Sequence, residues 1–311
     1  MIEIKQIKKE SIPTLFDHIS NALSSTDIAS LGFSPTVEHL NKQTILDPDF
    51  DPKLLLGAFT KEGQLVGSTM GLSRSWKNDT AHIKWILINR DFRNKGIGNL
   101  LLNAVEAKLK KQNPKEIVFG SSSPLYFLPG VPKNSPALVD LLNKKGWKKS
   151  SLRVSLFANI SSENINDELF RPANNSSDFL FEIVNKNNSQ KTLDFITDEF
   201  NSSWATEAKM ALNTTNKIGA VAIAKTAKTN EVVGFAALNG SNPNWFGPMG
   251  IKKSLRKSGL GRALVYEVIK ISQKQNMNSI ILPWINGKEK FYPRFFKKYS
   301  WLEYHSFSKV F

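Results

Sequence analysis

The sequence has no cysteine among its 311 residues. This absence excludes disulfides, thiolate metal sites and a cysteine nucleophile. The four histidines are scattered and lack metal-ligand spacing, so no metal is expected. No stretch approaches the roughly 18 apolar residues of a membrane span, and the strand-like residues 1–7 lack the apolar core of a signal peptide. We therefore expect a cytoplasmic protein with no membrane partner.

Acidic residues are too few to balance the basic ones, and the formal charge is +15. The excess is spread over both halves, with +8 in residues 1–155 and +7 in the rest. Basic runs such as Lys108–Lys111 fall at the expected C-termini of helices, where cations suit the helix dipole. Because charge alone describes solubility and association, this pattern does not favour a nucleic-acid partner. Nucleic-acid binding is kept as the third hypothesis.

What the chain does contain is one six-residue pattern used twice, RNKGIG at 93–98 and RKSGLG at 256–261. Each copy follows an apolar stretch and precedes a run with helical periodicity. A helix start has N–H groups without intrahelical partners and partial positive charge, so it attracts phosphate. Glycine lets the backbone approach the anion, and the neighbouring basic side chains add donors. The pattern predicts two phosphate-binding loops.

The two copies begin 163 residues apart, which is about the length of one domain. Between them, over residues 159–177, the apolar pattern fades into Asn, Ser, Asp and Glu. We therefore predict a first domain at 1–158, a linker at 159–177 and a second domain at 178–311. Both halves are expected to be α/β domains of like topology.

The order of elements supports the duplication. Each half is predicted to run strand, helix, hairpin, strand, glycine loop, helix, strand, helix. In the second half the last of these helices is predicted at 291–298. Residues 121–136 form an irregular segment in the first half, because Pro124, Pro129 and Pro132 and the glycine at 130 interrupt it.

With its R-x-x-G-x-G loops in this order of elements, the chain resembles the GCN5-related N-acetyltransferase (GNAT) superfamily, and the duplication resembles its tandem members. The resemblance covers nearly the whole chain. It implies an α/β fold of two tandem domains. In each, a mixed, mostly antiparallel sheet has splayed fourth and fifth strands and is flanked by helices.

The resemblance also implies that acetyl-CoA binds in the gap between the splayed strands. Its pyrophosphate would rest on the two loops, its pantetheine arm would pair with the fourth strands, and Asn134 of an N-x-x-A pattern would help to hold it. The implied cofactor-binding residues are Leu87, Ile88, Arg93, Asn94, Lys95, Gly96, Ile97, Gly98, Asn99, Asn134, Met249, Ile251, Arg256, Lys257, Ser258, Gly259, Leu260, Gly261 and Arg262.

The proton-transfer residues are less apparent. Many relatives carry a tyrosine four residues before the closing glycine as the acid, but the corresponding positions here are Leu142 and Phe296. The substitutes are Tyr126, Tyr292 and Glu289, the first two as acids and the last as a base. Each aromatic is equally consistent with a packing role.

The favoured hypothesis is an acetyl-CoA-dependent N-acetyltransferase that transfers an acetyl group to a primary amine by direct attack on the thioester. The acceptor would be a small-molecule or peptide amine. The alternative is a non-catalytic acyl-CoA-binding or interaction module in one or both halves. Rossmann dinucleotide binding fits poorly because Leu101 and Leu264 replace the third glycine, and no Walker sequence is present.

Overall fold

The structure, a computed structural model, describes residues 1–23, 28, 31–170, 178–214 and 219–311. The chain divides into two compact units. Unit 1 comprises residues 1–153 and 302–311, and unit 2 comprises residues 154–301. Among the residues described, no helix is long and apolar enough to cross a membrane.

Unit 1 is an α/β layer structure. Its strands are β1 (Glu3–Gln6), β2 (Leu55–Phe59), β3 (Leu65–Arg74), β4 (Lys77–Ile88), β5 (Glu116–Phe119) and β6 (Val131–Pro132), with the first part of β7 (Lys148–Asn159) and the last part of β13 (Tyr299–Val310). Its helices are α1 (Ile12–Ala22), α2 (Val37–Gln43), α3 (Ile97–Lys110) and α4 (Pro136–Lys144). Short 3-10 turns lie at Lys9–Ser11, Pro52–Leu54 and Arg90–Phe92.

The sheet of unit 1 has the order β1-β2-β3-β4-β5-β13, and all neighbours are antiparallel except β4 and β5. The parallel ladder runs from Thr80 opposite Glu116 to Ile83 opposite Phe119, while β4 continues to Ile88. The fourth and fifth strands therefore diverge after Ile83. The apolar face of α3, which includes Leu101, Val105 and Leu109, packs on this sheet to form the core.

Lys84 marks the point of divergence with a β-bulge. Met70 pairs with Trp85 and Gly71 pairs with Ile83, so Lys84 is the extra residue on β4. A bulge bends a strand and redirects its side chains. Here it lies where β4 leaves β5.

Unit 2 repeats much of this plan. Its elements are β8 (Phe179–Ile183), α5 (Ser189–Glu199), α6 (Ser202–Leu212), β9 (Ala220–Thr226), β10 (Val232–Leu238), β11 (Phe246–Ile251), α7 (Leu260–Lys274) and β12 (Ser279–Leu282). Its 3-10 turns are Ser162–Asn164, Asp167–Phe170, Lys253–Leu255 and Pro293–Phe295. Strands β11-β10-β9-β8 form an antiparallel sheet. An isolated parallel bridge, Trp245 to Ile281, links the residue before β11 to β12.

The limits of the compact units differ from the predicted domains. The first boundary lies at 153/154 instead of 158/159, and residues 302–311 belong to unit 1. The reason is strand pairing: Phe307 to Val310 pair with Phe119 to Glu116, while Leu156 to Asn159 of β7 pair with β12 in unit 2. Part of the predicted linker forms the turns at 162–164 and 167–170, and residues 171–177 lie outside the described residues.

One predicted helix is wrong. Over 291–298 the structure has only the 3-10 turn Pro293–Phe295, and Phe296 is already extended with φ −126° and ψ 135°. Here the backbone bonds outside the segment instead of continuing a helix: the N–H of Lys297 donates to the carbonyl oxygen of Asn164 at 2.8 Å, and Phe295 accepts from the N–H of Asn166 at 3.1 Å. Tyr292 and Phe296 therefore do not lie on one helix.

Candidate functional site

The two glycine loops have the same backbone conformation. Gly96 and Gly259 are the N-cap residues of α3 and α7, with φ 78° and 92°. Asn94 and Lys257, at the second position of each loop, also have positive φ, 60° and 71°. Glycine adopts this left-handed region without the steric cost that other residues incur, which explains why both loops have glycine at the N-cap. The loops therefore repeat in structure as well as in sequence.

Both helices begin without a side-chain cap. The N-cap residues of α3 and α7 are glycines, so they have no side chain that could accept a hydrogen bond from the first turn. At Gly96 a Cβ atom would meet no described atom within 4 Å, so the space above the helix start is open. First-turn N–H groups that face open space provide donors for an anion.

Two arginines brace these loops. Arg93 donates from Nε to the carbonyl oxygen of Ile88 at 3.2 Å and from Nη2 to that of Ala22 at 2.6 Å. Arg256 donates from Nε to the carbonyl oxygen of Ile251 at 3.4 Å. The ammonium of Lys95 lies over the ring of Phe92, 5.3 Å from its centroid. The arginines thus fix each loop to the end of the strand before it.

A cavity of about 780 Å³ opens beside the first loop in unit 1. Its described lining comes from β4 and the loop, from residues 119–144, and from the end of α1 and the segment before α2. These residues are Lys84, Trp85, Ile86, Leu87, Ile88, Arg93, Asn94, Gly96, Ile97, Gly98, Asn99, Phe119, Phe127, Leu128, Pro132, Asn134, Ser135, Pro136, Ala137, Leu138, Asp140, Leu141, Lys144, Leu23 and Leu31.

The cavity unites nearly all the first-half residues predicted to bind the cofactor. Leu87, Ile88 and Asn134 line it together with the loop, whereas Lys95 does not appear among the described lining residues. Of those residues, Asp140 alone carries a carboxylate. Asp140 was not predicted from the sequence, because a single acidic residue in a short amphipathic helix has no distinguishing pattern.

Gly98 is needed for close packing. A Cβ atom there would lie 3.2 Å from Cδ1 of Ile88 and 3.3 Å from Cδ2 of Leu141. At the second loop, a Cβ on Gly261 would lie 3.6 Å from Cζ of Phe291 and 3.8 Å from Cε of Met249. In each unit an apolar side chain from the segment after the fifth strand thus covers the second glycine.

These contacts revise the positions considered for the acid. Leu142 is fully buried in the core of unit 1, whereas its neighbour Leu141 lines the cavity. Phe296 is likewise a core residue of unit 2, whereas Phe291 approaches the loop. Neither Leu141 nor Phe291 has a phenol.

The predicted catalytic residues are not brought together. Tyr126 is 7% exposed, and the described lining includes its neighbours Phe127 and Leu128 but not Tyr126. Tyr292 packs against Phe246 and Phe291, and burial raises its pKa to about 12. Glu289 is exposed in a turn of unit 2.

In the second half, the predicted cofactor residues lie on β11 and around the second loop. Met249 and Ile251 pack against the core of unit 2, and Leu260 is buried in it. The hydroxyl of Ser258 donates to the carbonyl oxygen of Leu255 at 2.7 Å, while Lys257 is exposed and Arg262 is half-buried. The loop therefore presents the basic side chains of Lys257 and Arg262 beside the uncapped start of α7.

A buried charge cluster lies behind the cavity and was missed by sequence reasoning. Lys84 donates from Nζ to Oδ2 of Asp47 at 2.9 Å, and Arg74 donates to both carboxylate oxygens of Asp47. All three side chains are fully buried. Arg74 and Lys84 follow Asp47 by 27 and 37 residues, so no local sequence pattern predicts the pairing.

Electrostatics keeps this cluster ionised at neutral pH. Burial opposes ionisation of Asp47, but Lys84 and Arg74 together outweigh it and lower the pKa of the carboxyl. Burial, helped by Arg74 and opposed by Asp47, lowers the pKa of Lys84 to about 8. Elsewhere, no group of three His, Cys, Asp or Glu residues in the described chain could hold a metal ion.

Comparison with known proteins agrees with the two-loop arrangement. The sequence profile of the acetyltransferase (GNAT) family matches residues 24–121 and 189–296. A tandem GNAT protein from the clavulanic acid biosynthesis pathway superimposes with a TM-score of 0.69 at 12% identity, covering 100% of this chain and 98% of its own. A GCN5-related N-acetyltransferase from Sphaerobacter thermophilus gives 0.67 at 12%, covering 99% and 95%.

A third structure is longer. The GCN5-related glucosamine N-acetyltransferase region of a fungal multi-domain GH3 beta-N-acetylglucosaminidase gives a TM-score of 0.73 at 15% identity. The match covers 99% of this chain but only 38% of that protein. No curated protein matches this chain in sequence. At such identities these structures establish the fold alone.

Proposed function

The chain belongs to the acetyltransferase (GNAT) family, and on that premise we propose that it is an acetyl-CoA-dependent N-acetyltransferase with its transfer site in the cavity of unit 1. One observation carries the proposal. The uncapped start of α3 at Gly96 opens onto a cavity that also exposes the divergent end of β4. Phosphate donors, a strand edge and a cavity thus occur in one place.

The residues present fit the cofactor. Ile97, Gly98 and Asn99 supply first-turn N–H groups for the pyrophosphate. Leu87 and Ile88 lie on the part of β4 beyond its ladder with β5, where a pantetheine arm would add like a strand. Asn134 lines the same cavity with both a donor and an acceptor. Bound acetyl-CoA would supply the acetyl group as a reactive thioester.

The reaction proposed for the cavity is direct transfer to a primary amine of a small molecule or peptide. The amine nitrogen attacks the thioester carbonyl carbon, the C–N bond forms as the C–S bond breaks, and the amine proton ends on the departing sulfur. Tyr126 stays a prediction for the proton transfers in unit 1, and Tyr292 and Glu289, which lie in unit 2, stay predictions for a transfer there. Single Tyr126→Phe, Tyr292→Phe and Glu289→Gln variants test them, because loss of a residue required for proton transfer lowers kcat by roughly a hundredfold or more.

For unit 2 we propose a second acyl-CoA-binding loop at 256–261. Its support is the repeated backbone: Gly259 at the N-cap, Lys257 with positive φ, and no side-chain cap among the described residues. Transfer is assigned to unit 1 because the described cavity lies there.

Calorimetric titration of acetyl-CoA tests both assignments. Gly96 and Gly98 are replaced by Val in one variant, and Gly259 and Gly261 in another. We expect each variant to lose one binding event, and only the first to lose turnover. If neither variant loses a binding event, the loops do not bind the cofactor.

The alternative is a module that binds acyl-CoA without catalysis. It is favoured by one observation, that the described lining of the cavity contains no tyrosine, and Leu141 faces the space instead. A free-thiol assay over a broad amine panel separates the two. Release of CoA thiol with any amine supports transfer, whereas binding with no thiol release supports the module.

A further inference from the structure

The buried cluster behind the cavity has balanced charges. Arg74 and Lys84 supply two cations, and Asp47 and Asp49 supply two carboxylates. Besides its contacts with Asp47, Arg74 donates from Nη1 to Oδ2 of Asp49 at 3.1 Å. Each charge therefore has a partner of opposite sign, which is the condition under which buried ions are tolerated.

The cluster connects three segments that are far apart in sequence. Arg74, at the end of β3, donates to the carbonyl oxygen of Ser122. Lys84, at the bulge of β4, donates to the carbonyl oxygen of Gln43 at 2.7 Å. The side chain of Gln43 in turn donates to the carbonyl oxygen of Tyr126 at 3.4 Å. The irregular segment 121–136 is thus anchored at two carbonyls near its start.

These anchors lie next to the inner wall of the cavity. Trp85 follows the bulge residue, and Phe127 follows the anchored Tyr126. Both line the cavity, and their ring centroids are 5.5 Å apart. Lys84 is among the lining residues, but its side chain is fully buried and its ammonium donates to Asp47 and to the carbonyl oxygen of Gln43. The cluster therefore lies directly behind the wall that Trp85 and Phe127 form.

We propose that Arg74, Asp47 and Lys84 are positioning residues, whose paired charges hold segment 121–136 against the bulged part of β4. This arrangement fixes the inner wall of the cavity. The consequence for acyl transfer rests on the proposed function, whereas the anchoring of the segment does not. Buried ion pairs contribute little net stability compared with apolar replacements, so the effect expected of this cluster is on the conformation of segment 121–136.

Hydrogen exchange tests the anchoring without reference to activity. The variant is Asp47→Asn, which keeps the side-chain volume and removes the charge. The N–H of Ser121 bonds to the carbonyl oxygen of Leu128 at 2.8 Å, and it reports on the segment. We expect its exchange to accelerate at least tenfold while amides within α3 keep their rates. The control is Asp79→Asn. Asp79 lies on β4, as Lys84 does, and its exposed carboxylate is 3.6 Å from the ammonium of Lys115.

A second variant tests whether the orphaned charge is the cause. In Asp47→Asn/Lys84→Met the unpaired ammonium is removed, so protection at Ser121 recovers at least threefold relative to Asp47→Asn. Lys84→Met alone is the milder change if Asp47→Asn does not fold. Unchanged exchange at Ser121 in the folded variants overturns the proposal, and so does an equal acceleration throughout α3.

Kinetics separates this proposal from the proposed function. We expect Asp47→Asn to bind acetyl-CoA within about threefold of the wild type, because the first loop is intact, while kcat/KM for an accepted amine falls at least tenfold. If the wild-type protein neither binds acetyl-CoA nor releases thiol, the proposed function fails, and the exchange result still decides the anchoring. Equal kcat/KM in both proteins, with acetyl-CoA binding intact, overturns the positioning role.

Discussion

The Nε atom of Arg93 lies 3.2 Å from the carbonyl oxygen of Ile88, so the first residue of the glycine loop is bonded to the last residue of β4. Arg256 and Ile251 repeat the contact at 3.4 Å in unit 2. From the sequence, these arginines are expected to donate to a phosphate. Their hydrogen bonds show a bracing contact that holds each loop at the end of its strand.

Replacement of Arg93 by Met is expected to lower the free energy of unfolding of unit 1 by about 1–2 kcal/mol, because two hydrogen bonds to carbonyl oxygens are lost. Urea unfolding measures this loss. Lys95→Met is the matched control: it removes a loop cation that lies over Phe92, and it is expected to cost less than about 0.5 kcal/mol. Equal losses in the two variants would contradict the bracing role.

Gly96→Ala is expected to cost about 1–2 kcal/mol through the backbone alone, because φ is 78° and no described atom crowds the new Cβ. Acetyl-CoA affinity is expected to fall with it. Gly63→Ala is the control, since Gly63 has φ 84°, an equally open surrounding and a place in the turn between β2 and β3. It should lose the same stability and keep its affinity. Calorimetry measures the acetyl-CoA affinity of both variants, and a loss of affinity in Gly63→Ala would contradict the prediction.

Local chemistry explains what the sequence predicted correctly. The two loops and the periodicity of the runs after them, which form α3 and α7, predicted two domains of like topology, and the family fold was implied by the resemblance. Glycine at positive φ and the periodicity of apolar residues can be recognised in the local sequence. The pairing of β13 with β5 cannot, since alternation of apolar and polar residues predicts a strand but not its partner. The ion pairs of Asp47 are equally non-local. At 291–298 the helix prediction was wrong because the backbone of this segment bonds to Asn164 and Asn166, which are far away in sequence.

His18 predicts an acid sensitivity. Burial on α1 lowers its pKa to about 4 from 6.5, and the side chain of Asn89 and the backbone of Leu87 oppose this only in part. Since the unfolded chain binds the proton more tightly, stability contributed by neutral His18 is complete above pH 6.5 and is lost as pH falls towards 4. The loss is roughly 3 kcal/mol at 1.36 kcal/mol per pKa unit.

The measurement for His18 is urea unfolding of the wild type and His18→Gln at intervals from pH 7.5 to 4. Other titrating groups are common to the two proteins and cancel in the difference. We expect the wild type to lose its advantage over the variant progressively between pH 6.5 and 4. A difference that stays constant over this range would show that His18 does not titrate as its burial requires.

Leu141 and Leu142 are adjacent, yet a tyrosine should have opposite consequences at the two positions. Leu142 is fully buried in the core of unit 1, so Leu142→Tyr overpacks it and buries a hydroxyl, at a cost of about 3 kcal/mol or more. Leu141 is half-buried and lines the cavity, so Leu141→Tyr is expected to stay within about 1 kcal/mol of the wild type.

Variants at position 141 also test whether the absence of a phenol from the cavity limits turnover. Leu141→Tyr introduces a proton donor into the cavity, and Leu141→Phe adds the same ring without it. If protonation of the departing thiolate limits the proposed transfer, kcat rises at least tenfold in Leu141→Tyr and not in Leu141→Phe, because general acid catalysis typically contributes about a hundredfold or more. Stopped-flow thiol release on the three proteins measures this. Equal kcat in the Tyr and Phe variants would mean that the ring's volume, or a step other than proton transfer, controls the rate.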